Sequence, residues 1–172
     1  MKTVFLNILL LFFLNSFSKA TYNDTIATKL HGQGCGIIPN SEEVDYNIIL
    51  LEKLQKTDSN NVLIYRHLAM QYYILWTREK DNILKEKNRQ NSIRNNIKVL
   101  GFHQYKKASK VGTIGNLLIL YCTVNDCQNT KKYYSLLKKK EVKNLGTGIP
   151  ELLKKNCNFL SQQRLSQRTL RK

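Results

Sequence analysis

Thr113-Ile-Gly-Asn-Leu-Leu-Ile-Leu-Tyr-Cys-Thr-Val124 is the stretch on which the fold class turns, because its pattern fits two different structures. Its β-branched residues and flanking glycines suit a buried strand. Ile114, Leu117, Leu118 and Tyr121 recur instead at the spacing of one helical face. Periodicity alone does not separate the two, and the segments on either side decide the matter. They are punctuated as helices, so this stretch is expected to be a helix and the protein all-α.

Upstream, Asn40 is placed to cap a helix with Glu43 three residues on, and the acidic Glu42, Glu43 and Asp45 complement a positive helix start. Val44, Ile48, Leu51 and Leu54 then mark one buried face, giving a first helix from Ser41 to about Lys56. Thr57-Asp-Ser-Asn-Asn61 ends it and caps the next. The second helix is expected from Val62 to at least Thr77, with Val62, Tyr65, Ala69, Tyr72 and Trp76 on one stripe and Leu68 and Leu75 beside it. Its wide apolar surface makes it the most buried element. The polar stretch from Glu79 to Asn91 is expected to continue this helix to about Lys87 as a solvated rod. Ile93, Ile97 and Leu100 form a further short stripe, interrupted by Gly101.

Downstream, helices are expected from Lys131 to Lys143 and from Ile149 to about Ser166, separated by Gly146-Thr-Gly-Ile-Pro150. Pro150 suits a first helical turn, where a missing N–H costs nothing. Leu152 and Phe159 share one stripe of the last helix; Leu153, Cys157 and Leu160 share its neighbour. Residues 41–166 are thus read as one helical bundle domain, and residues 167–172 as a basic, frayed tail.

Residues 1–20 read as a secretory signal peptide. Lys2 is the positive start, Val4 to Leu14 the apolar core, and Ser18 and Ala20 the small residues before a cleavage site. The apolar run is about a dozen residues, against the roughly 20 needed to cross a bilayer, so no membrane span is expected. The expected product is secreted and extracellular. Residues 21–40 form an irregular, glycine-rich arm carrying the sequon Asn23-Asp24-Thr25, which marks Asn23 for N-glycosylation. Four cysteines, Cys35, Cys122, Cys127 and Cys157, follow the leader, and an even count in a secreted chain reads as two disulfides. Three pairings are open; the preferred one joins Cys35 to Cys157 and Cys122 to Cys127.

Charge is unevenly placed. Residues 21–86 carry 7 Lys/Arg against 9 Asp/Glu, whereas residues 87–172 carry 19 against 3. For a secreted chain this favours sulfated glycans such as heparan sulfate, acidic receptor faces or anionic membrane, and not nucleic acid. The candidate glycan-binding residues are Lys106, Lys107, Lys110, Lys131, Lys132, Lys138, Lys139, Lys140, Lys154 and Lys155. No enzymatic activity is expected. His31, His67 and His103 show no metal-ligand spacing with one another or with the cysteines. His67, beside Leu68, reads as a packing or surface residue. Gly32-Gln-Gly-Cys-Gly36 lacks the context of a phosphate loop and reads as a cysteine-bearing turn. Catalytic residues, metal and cofactor are all expected to be absent.

Gly112-Thr-Ile-Gly-Asn-Leu-Leu-Ile-Leu-Tyr-Cys-Thr123 and Leu153-Lys-Lys-Asn-Cys-Asn-Phe-Leu160 resemble two segments of the interleukin-7-like short-chain helical cytokines. These segments are a Leu-rich stretch ending in Cys-Thr and a last-helix Asn, Cys, Phe-Leu pattern. The resemblance covers about 20 of the 172 residues. This chain has four cysteines where the family usually has six, and Ser161 stands where the family has Lys. The resemblance implies a four-helix, up-up-down-down bundle. It also implies engagement of two cell-surface type I cytokine receptors through different helix faces, and the leading expectation is a secreted, monomeric cytokine or growth factor. The competing expectation, from charge alone, is a secreted basic module for heparan sulfate, anionic membrane or a microbial surface.

Overall fold

The computed structural model describes residues 41–102, 107–146 and 148–158, and every regular element among them is helical. The helices are α1 (Ser41–Thr57), α2 (Val62–Arg78), α3 (Asn82–Gly101), α4 (Lys107–Cys122), α5 (Cys127–Tyr134), α6 (Lys139–Val142) and α7 (Gly148–Cys157). The chain divides into two compact units, Met1–Asn95 and Asn96–Lys172.

In the first unit, α1 packs on α2 through the stripe its spacing indicated, whereas α2 answers with Ile64 and Leu68, not with the expected stripe of Val62, Tyr65, Ala69, Tyr72 and Trp76. Val44, Ile48 and Leu51 of α1 meet Ile64 and Leu68 of α2 in one buried cluster, with Leu54, Tyr72 and Leu75 at its edge. The turn between them is fixed by its own side chains. Thr57 Oγ1 donates to the Leu54 carbonyl, and the Asn61 side chain accepts the Leu63 N–H at 3.0 Å, satisfying one of the orphan donors of α2. Tyr65 Oη donates to the Ser59 carbonyl. Farther along, Tyr72 Oη donates to Glu52 Oε1 at 2.6 Å, tying the two helices at their solvent edge.

The solvated extension of α2 is not formed. Glu79 closes the helix with extended backbone (φ −65°, ψ 132°), and its carboxylate accepts the N–H groups of Lys80 and Asp81. Asp81 Oδ1 then accepts from Ile83 and Leu84 N–H, at 2.9 and 2.8 Å, and starts α3. Two short acidic side chains thus offer the backbone an alternative to the i−4 carbonyls, which splits a polar run that pattern alone leaves continuous. Ser92 Oγ donates to the Ala69 carbonyl at 2.8 Å, so α3 is joined to α2 by a buried polar contact. The apolar stripe of α3 is also modified: Ile93 and Val99 are buried while Ile97 is exposed, and Gly101 ends the helix without interrupting it.

In the second unit, Thr113–Val124 resolves as helix through Cys122. Ile114, Leu117, Leu118 and Tyr121 are all buried, as the helical spacing requires. α4 packs on both α5 and α7. At Gly115 an added Cβ would lie 3.3 Å from Ile149 Cδ1, so this glycine sets how closely α4 approaches the entry to α7. Asn125 takes φ 60° in the turn after α4, a conformation asparagine tolerates better than most residues. Asp126 then caps α5 by accepting the Asn129 N–H.

The single helix expected from Lys131 to Lys143 is replaced by two. α5 starts earlier, at the Asp126 cap, and ends at Tyr134. Leu136 and Leu137 N–H turn back to the Tyr133 and Tyr134 carbonyls, a tightening to i−3 bonds. The Glu141 carboxylate then reaches back to the Lys138 N–H to begin α6. Tyr133 stacks on Tyr121 with centroids 5.5 Å apart, so the end of α5 is anchored to α4. Pro150 lies in the first turn of α7, and Leu153 is fully buried. The last helix stops at Cys157 and Asn158 follows with φ 45°, so the continuation expected beyond Cys157 is not formed there. Residues 159–166, the basic tail, the leader, the N-terminal arm and the Asn40 cap lie outside the described residues.

Candidate functional site

Of the residues singled out by the sequence, Cys122, Cys127 and Cys157 meet at the ends of α4, α5 and α7. Cys127, the first residue of α5, is disulfide-bonded to Cys157, the last of α7, with Cα atoms 5.3 Å apart. This corrects the preferred pairing: Cys157 is bonded to neither Cys35 nor Cys122, and Cys127 is not bonded to Cys122. The physical reason is helix geometry. Cys122 points into the α4–α7 contact at the end of its helix, while the turn through Asn125 and the Asp126 cap carry Cys127 around toward α7. Cys35 lies outside the described residues.

Cys122 is a fully buried thiol. Its Sγ is 3.4 Å from the Leu152 carbonyl oxygen, to which it donates, and 3.8 Å from Cys157 Sγ. Asn156 Nδ2 donates to the Cys122 carbonyl at 3.0 Å, fastening the end of α4 to α7. Burial pushes the Cys122 thiol pKa up, holding it protonated. Sequence reasoning identified Cys122 but missed Leu152 and Asn156. Their signal was the placement of Asn156 beside Cys157, which has meaning only once α7 lies on α4.

The lysine candidates divide by position. Lys131 and Lys132 on α5, Lys138, Lys139 and Lys140 around the start of α6, and Lys154 and Lys155 on α7 are all exposed, and Lys110 is half-buried. Lys107 lies in the first turn of α4. Lys106 and Asn23 are outside the described residues. The disulfide brings two of these pairs together. Lys131 is four residues past Cys127 and Lys154 three before Cys157, so with helical rise their Cα atoms lie within roughly 17 Å of each other. Lys132 Nζ sits 5.4 Å from the Tyr133 ring centroid, a cation–π contact. Tyr134 is buried in the core, and burial raises its pKa.

In the first unit, a cleft of about 460 Å³ opens beside the α2–α3 break, lined by Asp45, Leu75, Arg78, Glu79, Lys80, Leu84 and Asn88. Its charges alternate in sign. His67 is 2% exposed within the α2 core, in keeping with a packing residue. Among the described residues no group of three His, Cys, Asp or Glu is placed to hold a metal ion, and no helix is long and apolar enough to cross a membrane. Comparison with protein-family models, with curated proteins and with solved structures finds no match to this chain.

Proposed function

We propose that this chain is a secreted helical signalling protein of cytokine type that binds a cell-surface type I cytokine receptor through a helix face. The observation that carries the reading is the outward side of α1. Tyr46 and Ile49, three residues apart, are 65% and 66% exposed while Val44, Ile48 and Leu51 on the opposite side fill the core. Exposed Glu42, Glu43 and Asp45 flank them. An aromatic and a branched aliphatic side chain within a polar rim is the composition of a binding hot spot. The finer parts of the reading are a monomeric four-helix bundle, removal of the leader and a glycan on Asn23.

The test is binding of labelled mature protein to responsive cells. Tyr46→Ala with Ile49→Ala should reduce binding at least tenfold with an unchanged circular dichroism spectrum, and binding should survive heparinase treatment. Binding unaffected by the pair and abolished by heparinase would overturn the receptor reading.

A second reading is favoured by the exposed lysines of α5, α6 and α7: retention on heparan sulfate or another sulfated surface. The contacts would be ionic and strongly salt-dependent. Lys131, Lys132, Lys154 and Lys155 each changed to Ala should move elution from heparin to lower salt. Release of the unsubstituted protein below physiological salt would remove this reading. The two are compatible, since glycan retention and receptor binding would use different units of the chain.

A further inference from the structure

Three of the four cysteines meet at one point, and the third is not idle in its geometry. We propose that Cys122, Cys157 and Cys127 form a thiol–disulfide relay that moves the free thiol from buried Cys122 to partly exposed Cys127. The observation behind it is the approach of Cys122 Sγ to within 3.8 Å of Cys157 Sγ while Cys157 is bonded to Cys127. A sulfur held at that distance from a disulfide needs little movement to reach bonding range.

The step balances without an added oxidant. Cys122 gives its proton to solvent, and its thiolate attacks Cys157 Sγ. The Cys122–Cys157 bond forms as the Cys127–Cys157 bond breaks, and Cys127 leaves as a thiolate that takes up a proton from solvent. One thiol and one disulfide exist before and after. Reversal restores the original bridge.

The surroundings favour a slow, gated exchange. Cys122 is 0% exposed and its S–H is directed at the Leu152 carbonyl, so the attacking thiolate is scarce until the end of α7 loosens. Asn156 is the positioning residue: its amide holds the Cys122 backbone against α7 and keeps the two sulfurs in register. On the leaving side, Cys127 occupies the first position of α5, where helix N–H groups favour a thiolate, with the neighbouring Asp126 carboxylate opposing them. The consequence is a modification site. In one bridge state the thiol is hidden; in the other Cys127 presents it for mixed-disulfide formation with small-molecule disulfides. This inference stands independently of the receptor reading.

The experiment traps thiols in the folded, oxidised mature chain with N-ethylmaleimide, quenches in acid and maps peptides. In a Cys35→Ser variant, the relay gives label on Cys127 together with a Cys122–Cys157 linked peptide. Label confined to Cys122, or no native label where denaturant reveals a thiol, overturns it. Adding Cys122→Ser should reduce Cys127 labelling at least tenfold; equal labelling would show that the bridge opens without Cys122 and would also overturn the relay. Disulfide mapping of the unsubstituted chain guards against misfolded variants. Recovery of both Cys127–Cys157 and Cys122–Cys157 supports the proposal, and Cys127–Cys157 alone refutes it.

Discussion

The α1–α2 pair and the α4–α5–α7 group reach the same fold class by different physical means. α1 and α2 are each 17 residues long, and a continuous apolar seam joins them without any covalent link among the described residues. α5 and α7 have only 8 and 10 residues, too short to hold helical structure unaided. They rely on the buried face of α4, on the Tyr121–Tyr133 stack and on the Cys127–Cys157 bridge. Long helices can be stabilised by packing alone; short ones need a staple, for the reason that small scaffolds do.

Cutting the staple is the strongest test of that contrast. The bridge spans a sequence separation of 30 residues, and chain-entropy estimates for such a loop give about 3 to 4 kcal/mol. Cys157→Ser should therefore destabilise α5 and α7 by about that amount in urea unfolding followed by circular dichroism. Fluorescence of Trp76, the single tryptophan of the sequence, reports on the α2 side. A Trp76 transition that moves equally would break the comparison by showing that the two regions unfold together.

The reciprocal change is Leu68→Ala, which empties a 1% exposed position in the α1–α2 seam. It should lower stability by about 3 kcal/mol and shift the Trp76 transition first. Asn61→Ala removes the cap of α2 and should cost about 1 kcal/mol, read in the same urea series. The smallest effect is expected at the α3 surface. Arg89 makes two 2.7 Å hydrogen bonds to Glu86 and draws that carboxyl below its usual pKa. The stabilisation is present above the unfolded-state pKa and is lost as pH falls through the lower folded value. Because Glu86 is half exposed, Glu86→Gln should cost only about 0.5 kcal/mol, and thermal melts at neutral pH and near pH 3 should show the difference vanishing in acid.

Much of the helical framework was legible because its residues obey one period. Val44, Ile48 and Leu51, and Ile114, Leu117, Leu118 and Tyr121, are buried as their spacing indicates. The helix ends were harder where polar side chains compete for the backbone. Nothing in the hydrophobic pattern marks Glu79 and Asp81 as a break, because both residues also occur inside solvated helices. The disulfide partners were harder still. Cys122 and Cys127 are close in sequence, yet both reach Cys157, one at 3.8 Å and the other through its bond, and that information is three-dimensional. The lysines stand out in the composition, yet only the bridge shows that Lys131 and Lys154 lie on helices tied to each other.

The bridge has one more consequence, for proteolysis. Lys138, Lys139 and Lys140 are exposed on a short segment that lies between the two bonded cysteines in the chain. A trypsin-like enzyme cutting there would sever the backbone without separating the pieces. The nicked protein would migrate as one species on a non-reducing gel and as two fragments after reduction, and α7 would remain tethered to α5 after the peptide connection was gone.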